Sequence, residues 1–271
     1  MLNIVSLGAG VQSTTLALMA AHGKIRPTPD FAIFADTGAE PAAVYEHLAW
    51  LRSPNVLPFP VEIVSAGDLR GEILDTATKG TRNDARPPFF VRNADGSTGM
   101  LRRQCTGDYK IDPIHKWVRQ ALGLRPRQHG PKTPVVVQWI GISTDEASRA
   151  KPSRHRWIEH RWPLIDAGMS RHDCLRWLER HNYPRPPKSA CTFCPYSSDA
   201  RLRDMRANDP VSWAEAVAVD KALRSPLYRR IVGTAYVHRS LVPLDEVDLS
   251  TAEERGQMNM FNDECEGMCG V

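Results

Sequence analysis

Apolar residues fall in short runs separated by glycine, proline and polar turns, and several runs are followed by segments of helical period. Asn3–Leu7 leads straight into Gly8-Ala9-Gly10-Val11-Gln12-Ser13, and Thr14–His22 then places Leu16, Met19 and Ala20 on one helical face. Phe31–Ala35 reads as a second strand that ends at Asp36-Thr37-Gly38. Pro41 opens a helix through Leu51, with Val44, Leu48 and Leu51 on its buried side. Val61–Val64 is a third strand candidate. Val135–Ile142 is a continuous apolar run rich in β-branched residues, the pattern of a strand buried on both faces of a parallel sheet. The alternation predicts an α/β fold: a doubly wound, mostly parallel sheet over residues 1–165, followed by a helical C-terminal region, residues 166–271, that contains cysteines.

The remaining segments are less periodic. Residues 76–100 are turn-rich and polar around Pro87-Pro88-Phe89-Phe90-Val91, which suggests an insertion or flap facing a substrate. Ser170 is an N-cap for a helix to His181, and residues 209–232 hold one or two helices. The seven tryptophans, Trp50, Trp157 and Trp177 among them, read as packing residues.

Composition narrows the class. With 271 residues, 42% hydrophobic and 24% charged, the chain can bury a core without disulfides, and wholesale disorder does not fit. No apolar run approaches the roughly 20 residues of a bilayer helix, and Met1–Ser6 lacks the basic and apolar regions of a secretory signal. The expectation is a cytoplasmic protein with no membrane partner. The net charge of +4 conceals an asymmetry. Residues 102–132 carry eight Lys or Arg against Asp108 and Asp112, whereas residues 245–266 carry eight acids against Arg255 alone. A basic middle points to phosphate-bearing partners, nucleotide or nucleic acid, and the acidic end either covers it or stays solvated.

The loop Gly8–Ser13 sits where an α/β sheet binds anions, after a strand and at a helix N-terminus. No Gly-Lys-Ser/Thr follows, so it is not a Walker A loop, and Ser13 stands where the dinucleotide fingerprint has its third glycine. Read with Ser6-Leu7 before it and Phe34-Ala35-Asp36-Thr37-Gly38-Ala39-Glu40-Pro41 with Tyr45 after it, the loop resembles that of the phosphoadenylylsulfate (PAPS) reductase branch of the PP-loop ATP pyrophosphatases, the adenine nucleotide alpha hydrolase-like proteins. Four later segments are similar to that family in the same order. They are Cys105-Thr-Gly-Asp-Tyr-Lys110-Ile-Asp-Pro113, Gly141-Ile-Ser-Thr-Asp145-Glu146-Ala-Ser148-Arg149, Trp162–Asp166, and Cys191-Thr-Phe-Cys194-Pro195. The resemblance spans about residues 3–198.

The resemblance implies an adenine nucleotide, ATP or an adenylyl sulfate. Ser6, Gly8, Gly10, Gln12 and Ser13 would lie at its phosphates, and Asp36, Thr37 and Gly38 would line its pocket. Lys110, Arg149 and Lys188 become candidates for a second anionic group. Gln12 replaces the acid of the usual loop, which weakens the case for Mg²⁺ held there and leaves the cradle of amides intact. C-x₂-C at Cys191 and Cys194 is half of a metal site. The family resemblance adds Cys105 and implies a [4Fe-4S] cluster, with Zn as the alternative. Cys174, beside Leu175 and Leu178 in a helix, reads as a packed thiol, while His155 and His160 flank a basic stretch that suits anion contact or solvation.

Cys265 and Cys269 have no packing purpose in a chain end. Glu264-Cys265 resembles the Glu-Cys-Gly tail of sulfonucleotide reductases, which implies a mobile nucleophile, and Cys269 suits an intramolecular disulfide equally. The reading is an enzyme of adenine-nucleotide-dependent sulfur chemistry: ATP adenylates an acceptor, and sulfur then displaces AMP. A tRNA or DNA acceptor would suit the basic region 102–161. A sulfonucleotide reductase using Cys265 and a non-catalytic nucleotide- or nucleic-acid-binding module are the alternatives, and the sulfur or electron donor and self-association stay open.

Overall fold

A computed structural model of the chain describes residues 1–80, 87–228, 231–251 and 254. The chain forms two compact units, each assembled from several stretches: one from residues 1–36, 42–66 and 109–189, the other from residues 37–41, 67–108 and 190–271.

The first unit is built on a five-stranded sheet in which every neighbouring pair is parallel. Its strands are β1 (Leu2–Ser6), β2 (Phe31–Asp36), β3 (Val61–Ser65), β6 (Val136–Ile140) and β7 (Ile158–Arg161), in the spatial order β3-β2-β1-β6-β7. The fold is therefore α/β and doubly wound, as the alternation of elements predicts. The winding reverses at β1, so its carboxyl end and that of β6 open the crevice in which such sheets bind ligands.

Period-2 alternation along β1 feeds two cores. Val5 and Leu7 pack on one face with α1 (Val11–Ala21), α2 (Ala42–Leu51) and α6 (Arg171–Arg180), whose Leu16, Leu48 and Leu178 are all buried. Ile4 packs on the other face with Ile33, Val136 and Ile158, under Ile114 and Val118 of α4 (Asp112–Ala121). The short α5 (Pro163–Asp166) adds Leu164 to the first core. Cys174 is fully buried in that core, as expected of a packed thiol, and burial pushes it up to about 12, out of reach of chemistry.

The second unit contains α3 (Leu69–Lys79), the three-stranded antiparallel sheet β5-β4-β8, α7 (Asp199–Asn208) and α8 (Pro210–Ala222). Strands β4 (Phe90–Arg92) and β5 (Thr98–Met100) lie within the segment 76–100 that the sequence presents as irregular, and β8 (Thr234–Tyr236) joins their sheet from further along the chain. Buried Asp220 of α8 fastens the chain beyond it: it accepts the N–H of Val237 at 2.8 Å and of Leu244 at 2.9 Å and pairs with Arg224. Among the described residues, no helix is long and apolar enough to cross a membrane.

Candidate functional site

The loop after β1 is shaped by local bonds. Gly10 is the N-cap of α1 in extended backbone, and its carbonyl accepts the N–H of Thr14 at 2.9 Å. Ser13 faces back into the loop, where its Oγ accepts the N–H of Gly8 at 3.1 Å and donates to the carbonyl of Gly10 at 3.3 Å. Ala9 is fully buried with φ of 55°, a left-handed conformation that a non-glycine residue adopts only where its surroundings enforce it. The first helical turn of α1 contains no acid that would compete with an anion for its N-terminus.

Neighbouring segments close on this loop. A Cβ at Gly141, just after β6, would stand 2.9 Å from both N and Cα of Ser13, so only glycine lets the end of β6 meet the first turn of α1. Ser189, next to Lys188, lies against Gly10, where an added Cβ would be 3.5 Å from the Ser189 Cβ. Ser6 accepts a hydrogen bond from Gln138 Nε2 at 2.7 Å. Gln138 interrupts the apolar run of β6, and its other amide atom, Oε1, is buried with no hydrogen-bond partner among the described residues. That lone polar residue in a buried strand was the available sequence signal for its role.

Gln12 is engaged on both sides of its carboxamide. Arg171 Nη1 donates to Oε1 at 2.9 Å, and Nε2 donates to Glu146 Oε2 at 3.3 Å and to Ser143 Oγ at 3.4 Å. Glu146 also pairs with Arg149 at 2.6 Å, so Arg149 stands in the same network as the loop. The backbone N–H of Arg171 donates to Asp145 Oδ1 at 2.9 Å. Burial opposes ionisation of Asp145, and the hydrogen bonds from Ser143 and Arg171 overcome it and hold the carboxyl below its ordinary value. Arg171 escapes a reading of sequence motifs because its only local mark is its position after the N-cap Ser170.

Asp36 ends β2 and accepts from the Tyr45 hydroxyl at 2.8 Å. Thr37 and Gly38 belong to the second unit. Thr37 Oγ1 lies 3.6 Å from Cys191 Sγ, and the N–H of Thr192 donates to the carbonyl of Ala39, so the turn after β2 is tied to the C-x₂-C turn. Gly38 has φ of 67°, and a Cβ there would meet Asp68 at 2.9 Å, which requires glycine twice over. Cys194 N–H donates to the Cys191 carbonyl and closes the turn, and Arg103, two residues before Cys105, stacks on Tyr196, two residues after Cys194.

A soft, part-exposed pair of thiols suits iron or zinc. Among the described residues, no three His, Cys, Asp or Glu side chains are grouped to hold a metal ion. Lys110 lies in the single π-helical turn Gly107–Ile111. Cys265 and Cys269 lie outside the described residues.

No protein-family model and no curated protein matches the chain. Solved structures similar to it include PAPS reductase from Candida auris in a phosphate complex, at 12% identity and a TM-score of 0.44, covering 68% of this chain and 74% of that one. Another is the U34-tRNA thiolase NcsA from Methanococcus maripaludis with its [4Fe-4S] cluster, at 15% identity and a TM-score of 0.40, covering 85% of this chain and 73% of that one. Function is therefore argued from the residues of the site.

Proposed function

We propose that the protein is an adenine-nucleotide-dependent enzyme of sulfur chemistry that binds phosphates on the loop Gly8–Ser13. The observation that supports this most is the loop itself: a buried, left-handed Ala9 and the Ser13 hydroxyl bonds set its shape at the switch point of the sheet, before an acid-free helix N-terminus. In the leading reading an acceptor oxygen attacks the α-phosphorus of ATP, pyrophosphate leaves with the bonding pair, and a sulfur nucleophile then displaces AMP. Lys116, Arg125, Arg127, Lys132, Lys151, Arg154 and Arg156 are exposed in the same unit, which supports a tRNA or DNA acceptor held by its phosphates.

Calorimetry with ATP and with adenylyl sulfates tests the site. Gly10→Val points branched carbons at the space before Ser189 and is expected to lower nucleotide affinity at least tenfold; equal affinity in wild type and variant places the nucleotide elsewhere. A second reading is favoured by Gln12, because a loop without a carboxylate suits a sulfonucleotide better than a metal-bound triphosphate. There the Cys265 thiolate takes the sulfonate as AMP or its 3′-phosphate leaves, and Cys269 releases sulfite as a disulfide forms. Products separate the two: pyrophosphate and AMP mark the first, sulfite the second.

Cys105, Cys191 and Cys194 are assigned to a metal centre, a [4Fe-4S] cluster with zinc as the alternative, by their family resemblance and by the Arg103–Tyr196 stack that joins their segments. Anaerobically purified protein is expected to contain iron and sulfide that fall in Cys191→Ser and in Cys105→Ser. Unchanged metal content in Cys105→Ser removes that residue from the centre.

A further inference from the structure

The carboxamide of Gln12 does something that no carboxylate at this position could do. Its two ends differ chemically, and the partners fix which end is which: a guanidinium only donates, so Oε1 faces Arg171, and a carboxylate accepts, so Nε2 faces Glu146. An acid at position 12 would keep the bond to Arg171 and repel Glu146, whose other oxygen holds Arg149. Gln12 therefore ties the loop at once to two arginines on separate segments. The start of α6, which carries Arg171, is itself held by a capping box between Ser170 and Asp173 and by the bond from its N–H to Asp145.

The same bond bears on metal. A divalent cation held from the side chain of position 12 would need its oxygen, and Gln12 Oε1 is already taken by a positive group 2.9 Å away. A cation placed there would face like charge at contact distance. The side chain at position 12 itself therefore offers no free ligand to a loop-held Mg²⁺.

Building on the nucleotide reading above, we propose that Arg171 is a phosphate-binding residue of the Gly8–Ser13 site, supplying the positive charge that a loop-bound cation would otherwise give, and that Gln12 is the positioning residue that aims it. A guanidinium presents five donors in a planar fork, so one N–H can stay on Gln12 while others meet phosphate oxygens. The acid-free N-terminus of α1 then addresses the same anion as the Arg171 side chain.

The test is nucleotide binding by the full chain, measured calorimetrically with ATP and an adenylyl sulfate, in EDTA and in excess Mg²⁺. Wild type is expected to keep its adenylyl sulfate affinity within about twofold on Mg²⁺ removal. Arg171→Gln is expected to lose about ten- to hundredfold in affinity for both nucleotides, the size of a lost charge-assisted hydrogen bond. Arg171→Lys should recover only part of that loss. Gln12→Glu should weaken binding in EDTA and regain affinity when Mg²⁺ is added, because it creates a carboxylate that Mg²⁺ can occupy and unseats Glu146. Melting temperatures confirm that each variant is folded. Wild-type adenylyl sulfate affinity that falls more than tenfold without Mg²⁺, or a folded Arg171→Gln that binds as wild type does, overturns the proposal. If Gly10→Val abolishes binding while Arg171→Gln does not, the nucleotide site stands and only the role of Arg171 fails. If neither changes binding, the site itself is elsewhere.

Discussion

Single residues carry the most specific information, and they differ in how far they can be read without coordinates. Gly8, Gly10 and Ser13 are legible because a strand, two glycines and a helix leave few places for the chain to go, and the loop forms where they predict. Thr37 is legible only as a polar residue at a strand end; its hydroxyl lies on the Cys191 sulfur, a partner 154 positions away that no local pattern announces. Gly141 shows the gain from structure most directly. In the sequence it heads a motif, and in the fold its missing side chain is the space occupied by the Ser13 backbone. Gly141→Ala brings a Cβ to 2.9 Å from main-chain atoms that cannot swing aside, so the loop or the end of β6 must shift. We expect nucleotide affinity to fall by about tenfold or more with a stability loss of about 1–3 kcal/mol, the usual cost of overpacking. Urea unfolding and calorimetry on the same preparation check it, and a full-affinity variant would show that the loop tolerates displacement.

Among elements, those with strong periodicity are found within three residues of their expected ends: the first helix at Val11–Ala21 against Thr14–His22, the second at Ala42–Leu51 against Pro41–Leu51, and the strand at Val136–Ile140 inside Val135–Ile142. The helix after Ser170 is read correctly for a mechanical reason, since the Ser170 side chain accepts from the Asp173 N–H and Asp173 answers to the Ser170 backbone. Among the described residues, α3, α4, α5 and α7 are not foreseen as helices. The α3 segment Leu69–Lys79 has Leu69, Ile73, Thr76 and Ala77 on its buried side, a stripe in which threonine and alanine dilute the apolar signal. The α7 segment Asp199–Asn208 buries only Leu202 and Met205 among charged neighbours, so its helicity depends on the Ser198 cap and on tertiary contacts more than on pattern. Strands β4, β5 and β8 have three residues each, too short for period-2 alternation to show, and their pairing joins Arg92 to Thr234 across a long sequence separation. The interleaving of the two units is invisible for the same reason: each excursion of the chain is chosen by packing partners far away in sequence.

At the scale of the molecule, the titration of two histidines in the first unit, one buried and one half-buried, sets an acid limit on stability. His47 is buried, with Nε2 3.0 Å from Thr14 Oγ1, and desolvation lowers it from 6.5 to about 4. His115 of α4 is lowered to about 4 as well, by burial first and then by His155, whose ring centroid is 4.5 Å away, with Asp112 opposing and His160 adding to the shift. Both are neutral in the folded state at pH values where the unfolded chain already takes up protons. Well above pH 6.5 folded and unfolded states bind equally, and neither group makes stability depend on pH. Below it the unfolded state gains protons that the folded state refuses, so stability falls as pH drops through the window from 6.5 to about 4, by up to about 1.4 kcal/mol per pH unit for each residue. Carboxylates whose values are depressed, such as Asp173 under its bonds from Ser170, act only below the ordinary carboxylate range and leave the upper part of this window to the histidines. Urea unfolding between pH 7.5 and 5 is therefore expected to show a flat region and then a decline. His47→Gln, which keeps a neutral hydrogen-bonding group beside Thr14, should lose about half of that slope, and His47→Gln with His115→Gln most of it. A slope unchanged in the double variant would assign the acid sensitivity to other groups.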